Sequence, residues 1–270
     1  MKRRDPDHPF FAYVSFMAPH DPRTMPEKYP AMYDPAEIEL PPNFEPEHLI
    51  DTGALRVRDE LLAAIPRDPH EIRRHIAEYY AMITHLDDAI GRILRCLEDS
   101  GALEDTLIVF AGDNGLALGQ HGLMGKQNLY DHSIRVPLIF TGPGIAKGRQ
   151  VDDLVYLLDI FPTLCDLLEL PTPTSIQGHS LVGALQGDAP RAVGRDALYL
   201  AYCDSIRGLT TGRHKLIEYA CGQTQLFDLH NDPAECRNLA DSPEHSALLQ
   251  ELREHLRQLA SECEPSVSMH

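Results

Sequence analysis

Four side chains in this 270-residue sequence are of types that could do chemistry together: His20, Asp113, Asn114 and Lys126. Three of them lie in one stretch, FAGDNGLALGQHGLMGKQNLYDHSIRVPLIF (residues 110–140), where glycines separate two apolar runs. A carboxylate beside a side-chain amide, as at Asp113-Asn114, offers hard oxygen ligands that suit Ca²⁺ or Mg²⁺ and not a thiol-seeking metal. Lys126 follows Asp113 by 13 residues and can return a positive charge to the same rim. His20, in APHDP, adds an imidazole. Each piece alone has a blander reading. Asp-Asn-Gly is usually a turn, a single lysine is usually solvated, and a histidine after a strand can cap a turn. The combination is what points to a site.

The elements that must position these residues follow from periodicity. FFAYVSF (10–16), TLIVFAGD (106–113) and VPLIFTG (136–142) read as buried strands, and His20 and Asp113-Asn114 stand at the carboxyl ends of the first two. Loops leaving that edge of an α/β sheet are where sites gather. Ile72, Ile76, Tyr79, Ile83, Leu86, Ile90, Leu94 and Leu97 recur at steps of three and four, which predicts a helix of about 40 Å closed by Gly101. A second helix is expected over Leu157–Leu170, stopping at Pro171. The proline-rich segment 22–69 lacks periodicity and reads as an irregular excursion. This alternation predicts an α/β class with a mostly parallel sheet flanked by helices.

After about residue 185 the texture changes. ALYLAY, SIRGLTTG, HKLIEYA and QLFDL are short strand candidates, and Ser242 to Cys263 reads as a terminal helix. The expectation is a small antiparallel sheet with a helix packed on it, dividing the chain into units 1–184 and 185–270.

A net charge of -17 argues against nucleic acid or an anionic membrane as the main partner. Six cysteines fall at irregular intervals without the close pairs of a zinc site, so free or buried thiols are expected. No apolar stretch approaches a membrane span, and MKRRDPDHPF does not read as a signal peptide. The compartment stays open: cytoplasmic for the chain as it stands, periplasmic or secreted if a leader precedes it.

YYAMITHLDDAIGRIL, TLIVFAGDNG, LGQHGLMGKQNLYDHSIRVPLIFTGPG, YLLDIFPTLCDLLEL, IQGHSL, TGRHKLI and QLFDLHNDPAECRNLA together resemble the later half of the sulfatase catalytic domain, within the alkaline-phosphatase-like superfamily. The resemblance runs from Pro9 to about Ala240. It implies hydrolysis of a sulfate ester carried on a small molecule or saccharide, with Ca²⁺ as the metal and Mg²⁺ as the alternative. By position, Asp113 and Asn114 match a late pair of metal ligands, Lys126 a lysine that contacts the sulfate, and His20 a histidine that faces the sulfate and the ester oxygen. His121 and His132 match no family role and read as structural or rim histidines; His85 reads as a helix-face histidine.

The family also uses a formylglycine nucleophile, made within C/S-x-P/A-x-R, and an early Asp-Asp pair on the other side of the metal. Neither is recognisable here. CEPSV at Cys263 ends in valine, Asp87-Asp88 fall in the expected helix, and Asp152-Asp153 in a late loop. The resemblance therefore implies an N-terminally incomplete alkaline-phosphatase-like fold, inactive as an isolated chain, with self-association through exposed sheet edges as a consequence. Two other readings remain open. One is a phosphonate or phosphodiester hydrolase of the same superfamily, relatives of which often carry histidine in place of Asn114; the other is a non-catalytic remnant.

Overall fold

The computed structural model describes residues 8–187 and 194–264. Its longest element is helix α1, Pro69–Asp99. Asp68 starts it by accepting hydrogen bonds from the His70 and Glu71 amides at 2.8 and 2.9 Å, and Pro69 sits at the first turn, where no amide is needed. Gly101, with φ at +65°, lets the chain leave after the last turn. The first half of α1 buries Ile72 and Ile76 against Leu118, Met124 and Ala63, so the helix is the floor under the glycine-rich stretch.

Strands β1 (Ile108–Ala111) and β2 (Leu138–Thr141) flank that stretch. The α/β class holds, but their pairing corrects the expectation of a parallel arrangement. Ile108 lies opposite Thr141 and Ala111 opposite Leu138, which is antiparallel. Parallel strands need a crossover that carries the chain back to the starting end, usually on a helix of several turns. The connection here holds only the four-residue helix α2, Asp131–Ile134.

FFAYVSF is likewise not a strand in the described structure. Phe11, Tyr13 and Met17 are about four-fifths exposed, and no described strand runs beside them. An extended run without a hydrogen-bonding neighbour forms no sheet, whatever its composition.

The expected second helix begins as a 3₁₀ turn at Leu157–Asp159 and continues as α3, Ile160–Leu167. A short helix α4, Val182–Gln186, follows it. The C-terminal strands match their expectations closely: β3 Leu198–Tyr202, β4 Ile206–Thr210, β5 His214–Tyr219 and β6 Thr224–Asp228, paired antiparallel in that order. Successive side chains point to opposite faces of a sheet. Leu209, Leu216 and Leu226 thus meet Leu249, Leu252 and Leu256 of helix α5 (Ser246–Cys263). Their neighbours Ile217 and Phe227 pack on Leu123, Leu129 and Tyr130 from the glycine-rich stretch and its exit.

All six cysteines are free, and only Cys165 is buried. No described helix is long and apolar enough to cross a membrane. Asp68→Ala removes the acceptor for two helix-end amides and should lower the unfolding midpoint. Urea unfolding would measure it, and Asp68→Ser should recover most of the loss.

Candidate active site

The glycine-rich stretch is held from below by one carboxylate. Glu60, only 2% exposed, accepts hydrogen bonds from the Met124 amide at 2.8 Å and the Gly125 amide at 2.8 Å. Arg67 donates to the same carboxylate at 2.6 Å, to the Glu60 and Ala63 carbonyls, and through Nε to the Gly122 carbonyl at 2.9 Å. Burial pushes the Glu60 carboxyl upward, against the pull of the Met124 amide and Arg67, and burial lowers Arg67. Both shifts express the cost of taking charge out of water. The pair offsets that cost by filling its remaining lone pairs and donors with backbone groups.

Above this anchor the chain folds back on itself. The Ala117 amide donates to the Gly125 carbonyl at 2.9 Å and the Gly119 amide to the Leu123 carbonyl at 2.8 Å. Lys126 is therefore brought beside the residues that follow Asn114. Gly115 is fixed by close approach: a Cβ there would lie 2.0 Å from the His132 carbonyl oxygen, and its amide donates to the Ser133 carbonyl at 2.9 Å.

Lys126 is also linked toward His20. Its amide donates to Gln127 Oε1 at 3.0 Å, and Gln127 Nε2 donates to Asp59 at 2.9 Å. Asp59, Asp21 and His20 offer three ligand atoms within 4.8 Å of one another. Arg58 pairs with both carboxylates, supplying their counter-charge. His20 Nδ1 lies 2.9 Å from the Asp21 carbonyl oxygen and 3.1 Å from its carboxylate, both acceptors, so the ring carries its proton on Nδ1 there.

Asp113 and Asn114 stand exposed at the end of β1. Asp113 Oδ1 accepts from the Asn114 amide at 2.9 Å. The other Asp113 oxygen and the Asn114 side chain have no hydrogen-bond partner among the described residues. The structure thus brings His20 and Lys126 to one rim through Asp59 and Gln127. It places Asp113-Asn114 at the mouth of the same folded-back loop, with no hydrogen bond or ion pair to either among the described residues. The open, hard oxygens fit one side of a Ca²⁺ or Mg²⁺ shell; among the described residues Asp113 belongs to no cluster of three or more His, Cys, Asp or Glu ligand atoms.

Asp59, Gln127, Glu60 and Arg67 went unnoticed in the sequence. Asp59 and Glu60 lie in the aperiodic excursion, and nothing local announces that Glu60 meets amides 64 and 65 positions later. Asp21 had a signal, since it directly follows His20.

Comparison with known proteins is decisive about kinship. The profile of the Sulfatase family matches residues 1–170, and that of the C-terminal region of N-sulphoglucosamine sulphohydrolase matches residues 119–262. An arylsulfatase of Clostridium perfringens is 32% identical over 270 residues, covering 95% of this chain and 54% of that protein. The chain belongs to the sulfatase family. Among solved structures, the sulfatase chain superposes on a phosphonate monoester hydrolase of Agrobacterium radiobacter with a TM-score of 0.84 at 29% identity, over 97% of this chain and 58% of that one. A relative solved with its substrate D-glucosamine-2-N,6-O-disulfate gives a TM-score of 0.68 at 27% identity, over 74% of this chain and 44% of that one. The sulfatase chain spans between about a third and just over half the length of the curated relatives it matches.

His121 and His132, read from the sequence as structural or rim residues, belong to a packed ring cluster beside the loop. His121 stacks on the buried Tyr130 at 3.9 Å, His132 lies 5.6 Å from the same ring, and His48 meets it edge-on at 6.0 Å. The Asn43 amide donates to His121 Nε2 at 3.1 Å and to the Ala234 carbonyl at 2.6 Å, tying the excursion to the C-terminal unit. Both ring nitrogens of His132 are buried without a partner. Burial, reinforced by the neighbouring His48, lowers His121 from 6.5 to about 4, and burial drives His132 well below its ordinary value. Lys215 also pushes both downward, while Asp232 pulls His121 upward.

Two predictions follow from these contacts. Glu60→Ala strips two buried amides of their acceptor and leaves Arg67 unpaired, so it should cost about 3–5 kcal/mol in urea unfolding. For the histidines, the unfolded chain takes up protons near 6.5 but folded His121 only near 4. Their contribution is therefore complete above 6.5 and is lost as the pH falls through that window. Melting temperature should drop by several degrees across it. His121→Asn should show a shallower acid decline, and an unchanged decline would place the effect elsewhere.

Proposed function

We propose that this chain forms part of the active site of a sulfuric ester hydrolase acting on a sulfated small molecule or saccharide, with Ca²⁺ as the metal. Membership of the sulfatase family supports the reaction class, and a relative whose substrate is a disulfated glucosamine supports the substrate class. The observation that carries the reading is the folded-back loop, which sets Lys126 beside the stretch leaving Asn114 and links it through Gln127 and Asp59 to His20.

In this reading Asp113 and Asn114 hold the metal through their open oxygens. The bound cation would offset negative charge on the nonbridging sulfate oxygens. Lys126 adds a fixed positive charge where charge builds on the sulfate and the departing oxygen. His20, with Nδ1–H donating to Asp21, presents Nε2 toward the ester; a proton held there passes to the leaving alcohol. Arg58 and Asp59 keep Asp21, and with it the imidazole, in place. The nucleophile expected for the family, formylglycine, has no counterpart that we assign in this chain.

The second reading, hydrolysis of a phosphonate or phosphodiester, is favoured by the TM-score of 0.84 to a phosphonate monoester hydrolase. Asn114 favours the sulfate ester, because phosphonate and phosphodiester hydrolases of the superfamily often carry histidine in its place. A remnant without catalysis is the third reading. Hydrolysis of an aryl sulfate and an aryl phosphonate, compared side by side with Ca²⁺ in a protein that joins this chain to a segment supplying the formylglycine and the early Asp-Asp pair, separates all three: faster sulfate release supports our proposal, faster phosphonate release the second reading, and neither the third.

Two substitutions test the residue roles. In that joined protein, Lys126→Ala should lower kcat/KM by about 100-fold or more with little change in melting temperature. Asn114→Ala should abolish a calcium-dependent rise in melting temperature, which for so few ligands is expected only at metal concentrations on the order of 1 mM. A variant that keeps its calcium shift returns Asp113-Asn114 to the role of an ordinary turn.

A further inference from the structure

Helix α1 carries a second feature, on a different side from the floor of the loop. His85, Asp88, Arg92 and Arg95 recur at steps of three and four, and with Lys28 and Tyr29 from the excursion they line a concavity of about 270 Å³. Ile83, Ile90 and Leu94 fall on the opposite side of the helix, at 100° per residue. The concavity therefore faces away from the apolar stripe of α1.

Its construction is specific. Tyr29, 5% exposed, lies tilted against His85 with ring centres 4.7 Å apart and forms one wall. Asp88 precedes Arg92 by four residues, a spacing at which acid and base ordinarily pair on a helix. Here the Asp88 carboxylate is engaged elsewhere: Tyr29 donates its hydroxyl to Asp88 Oδ2 at 2.8 Å, and Lys28 Nζ lies 3.5 Å from the same oxygen. Lys28 also sits over the Tyr29 ring, 4.4 Å from its centre.

Neither Arg92 nor Arg95 has a hydrogen-bonding or ion-pairing partner among the described residues. Three cations thus meet around one carboxylate, whose Oδ2 is taken up by Tyr29 and Lys28 and on which Arg95 acts only through space, in a chain whose net charge is -17. Two guanidinium groups three residues apart on a helix repel each other modestly, and a further anion between them relieves that repulsion. Guanidinium forks match the oxygens of sulfate and phosphate, two donors to two acceptors.

We propose that this pocket binds a tetrahedral oxyanion, a sulfate or phosphate group, either free or carried on a saccharide. Arg92 and Arg95 grip two of its oxygens, and Lys28 supplies charge from the facing side. Asp88 positions Lys28 and Tyr29 and does not touch the ligand. The volume exceeds what one such ion fills and leaves room for part of a carrier ring. None of the lining residues belongs to the rim of His20, Asp59 and Lys126, so this site stands or falls independently of the proposed hydrolysis.

Calorimetric titration of the whole chain at fixed ionic strength tests it, with sodium sulfate, sodium phosphate and a sulfated disaccharide as separate titrants. Wild type should bind at least one of them with a Kd on the order of 1 mM or tighter. Arg92→Ala/Arg95→Ala should weaken that binding at least tenfold while leaving the melting temperature unchanged, since both side chains are exposed. Lys126→Ala should leave it intact, and Asp88→Asn should not weaken it. Tighter binding of the disaccharide than of inorganic sulfate identifies the carried group as the ligand; equal binding identifies the free ion. Equal affinity in wild type and the double arginine variant, loss of binding in Lys126→Ala alone, or no heat in wild type would each overturn the proposal.

Discussion

Everything near the candidate active site rests on the buried pair of Glu60 and Arg67. The two charges lie in the aperiodic excursion, seven residues apart, yet between them they hold the Gly122 carbonyl and the Met124 and Gly125 amides. A glycine-rich loop has little stiffness of its own, because glycine gives up more conformational freedom on folding than any other residue. The pair converts that loop into a defined shape by occupying its polar groups from beneath. Position at Lys126 is thereby inherited from residues that never approach a substrate.

The same device recurs elsewhere in the molecule. Lys215, fully buried, is neutralised by Asp131 and Glu235, which ties β5 to the exit of the loop. Arg195 meets the buried Asp159 with two hydrogen bonds of 2.7 and 2.8 Å, fastening the start of α3 to the entrance of β3. In each case a charged group joins segments that are remote in sequence. Pairs of this kind contribute little to net stability beyond what apolar packing would give, since desolvation consumes most of the attraction. Their value lies in tolerating only one arrangement of the connecting chain.

Legibility in the sequence followed the range of the interactions. Helix α1, α5 and all four C-terminal strands could be read because their determinants are local: apolar spacing, a closing Gly101, turn residues between short alternating runs. His20, Asp113, Asn114 and Lys126 stood out because their chemistry is carried by residue type. Asp59, Glu60 and Arg67 could not be found that way, since their partners lie far along the chain and only folding reveals them. The strand expected at 10–16 failed for a related reason: composition can favour an extended run, but a sheet needs a neighbour, and none of the described strands supplies it. The direction of β1 relative to β2 was equally invisible, because an apolar strand looks the same read toward either end.

The C-terminal sheet is packed on both sides, with Leu216 and Leu226 turned to α5 and Ile217 and Phe227 turned to the loop that bears the candidate site. Because adjacent positions serve different masters, the strands have no neutral face on which length can vary. A single inserted or deleted residue in β5 would exchange the two sets at once, presenting Leu216 to the loop and Ile217 to the helix. Natural variation in this region should accordingly be confined to the turns after Tyr202, Thr210 and Tyr219, leaving strand lengths constant among relatives whose loops have diverged.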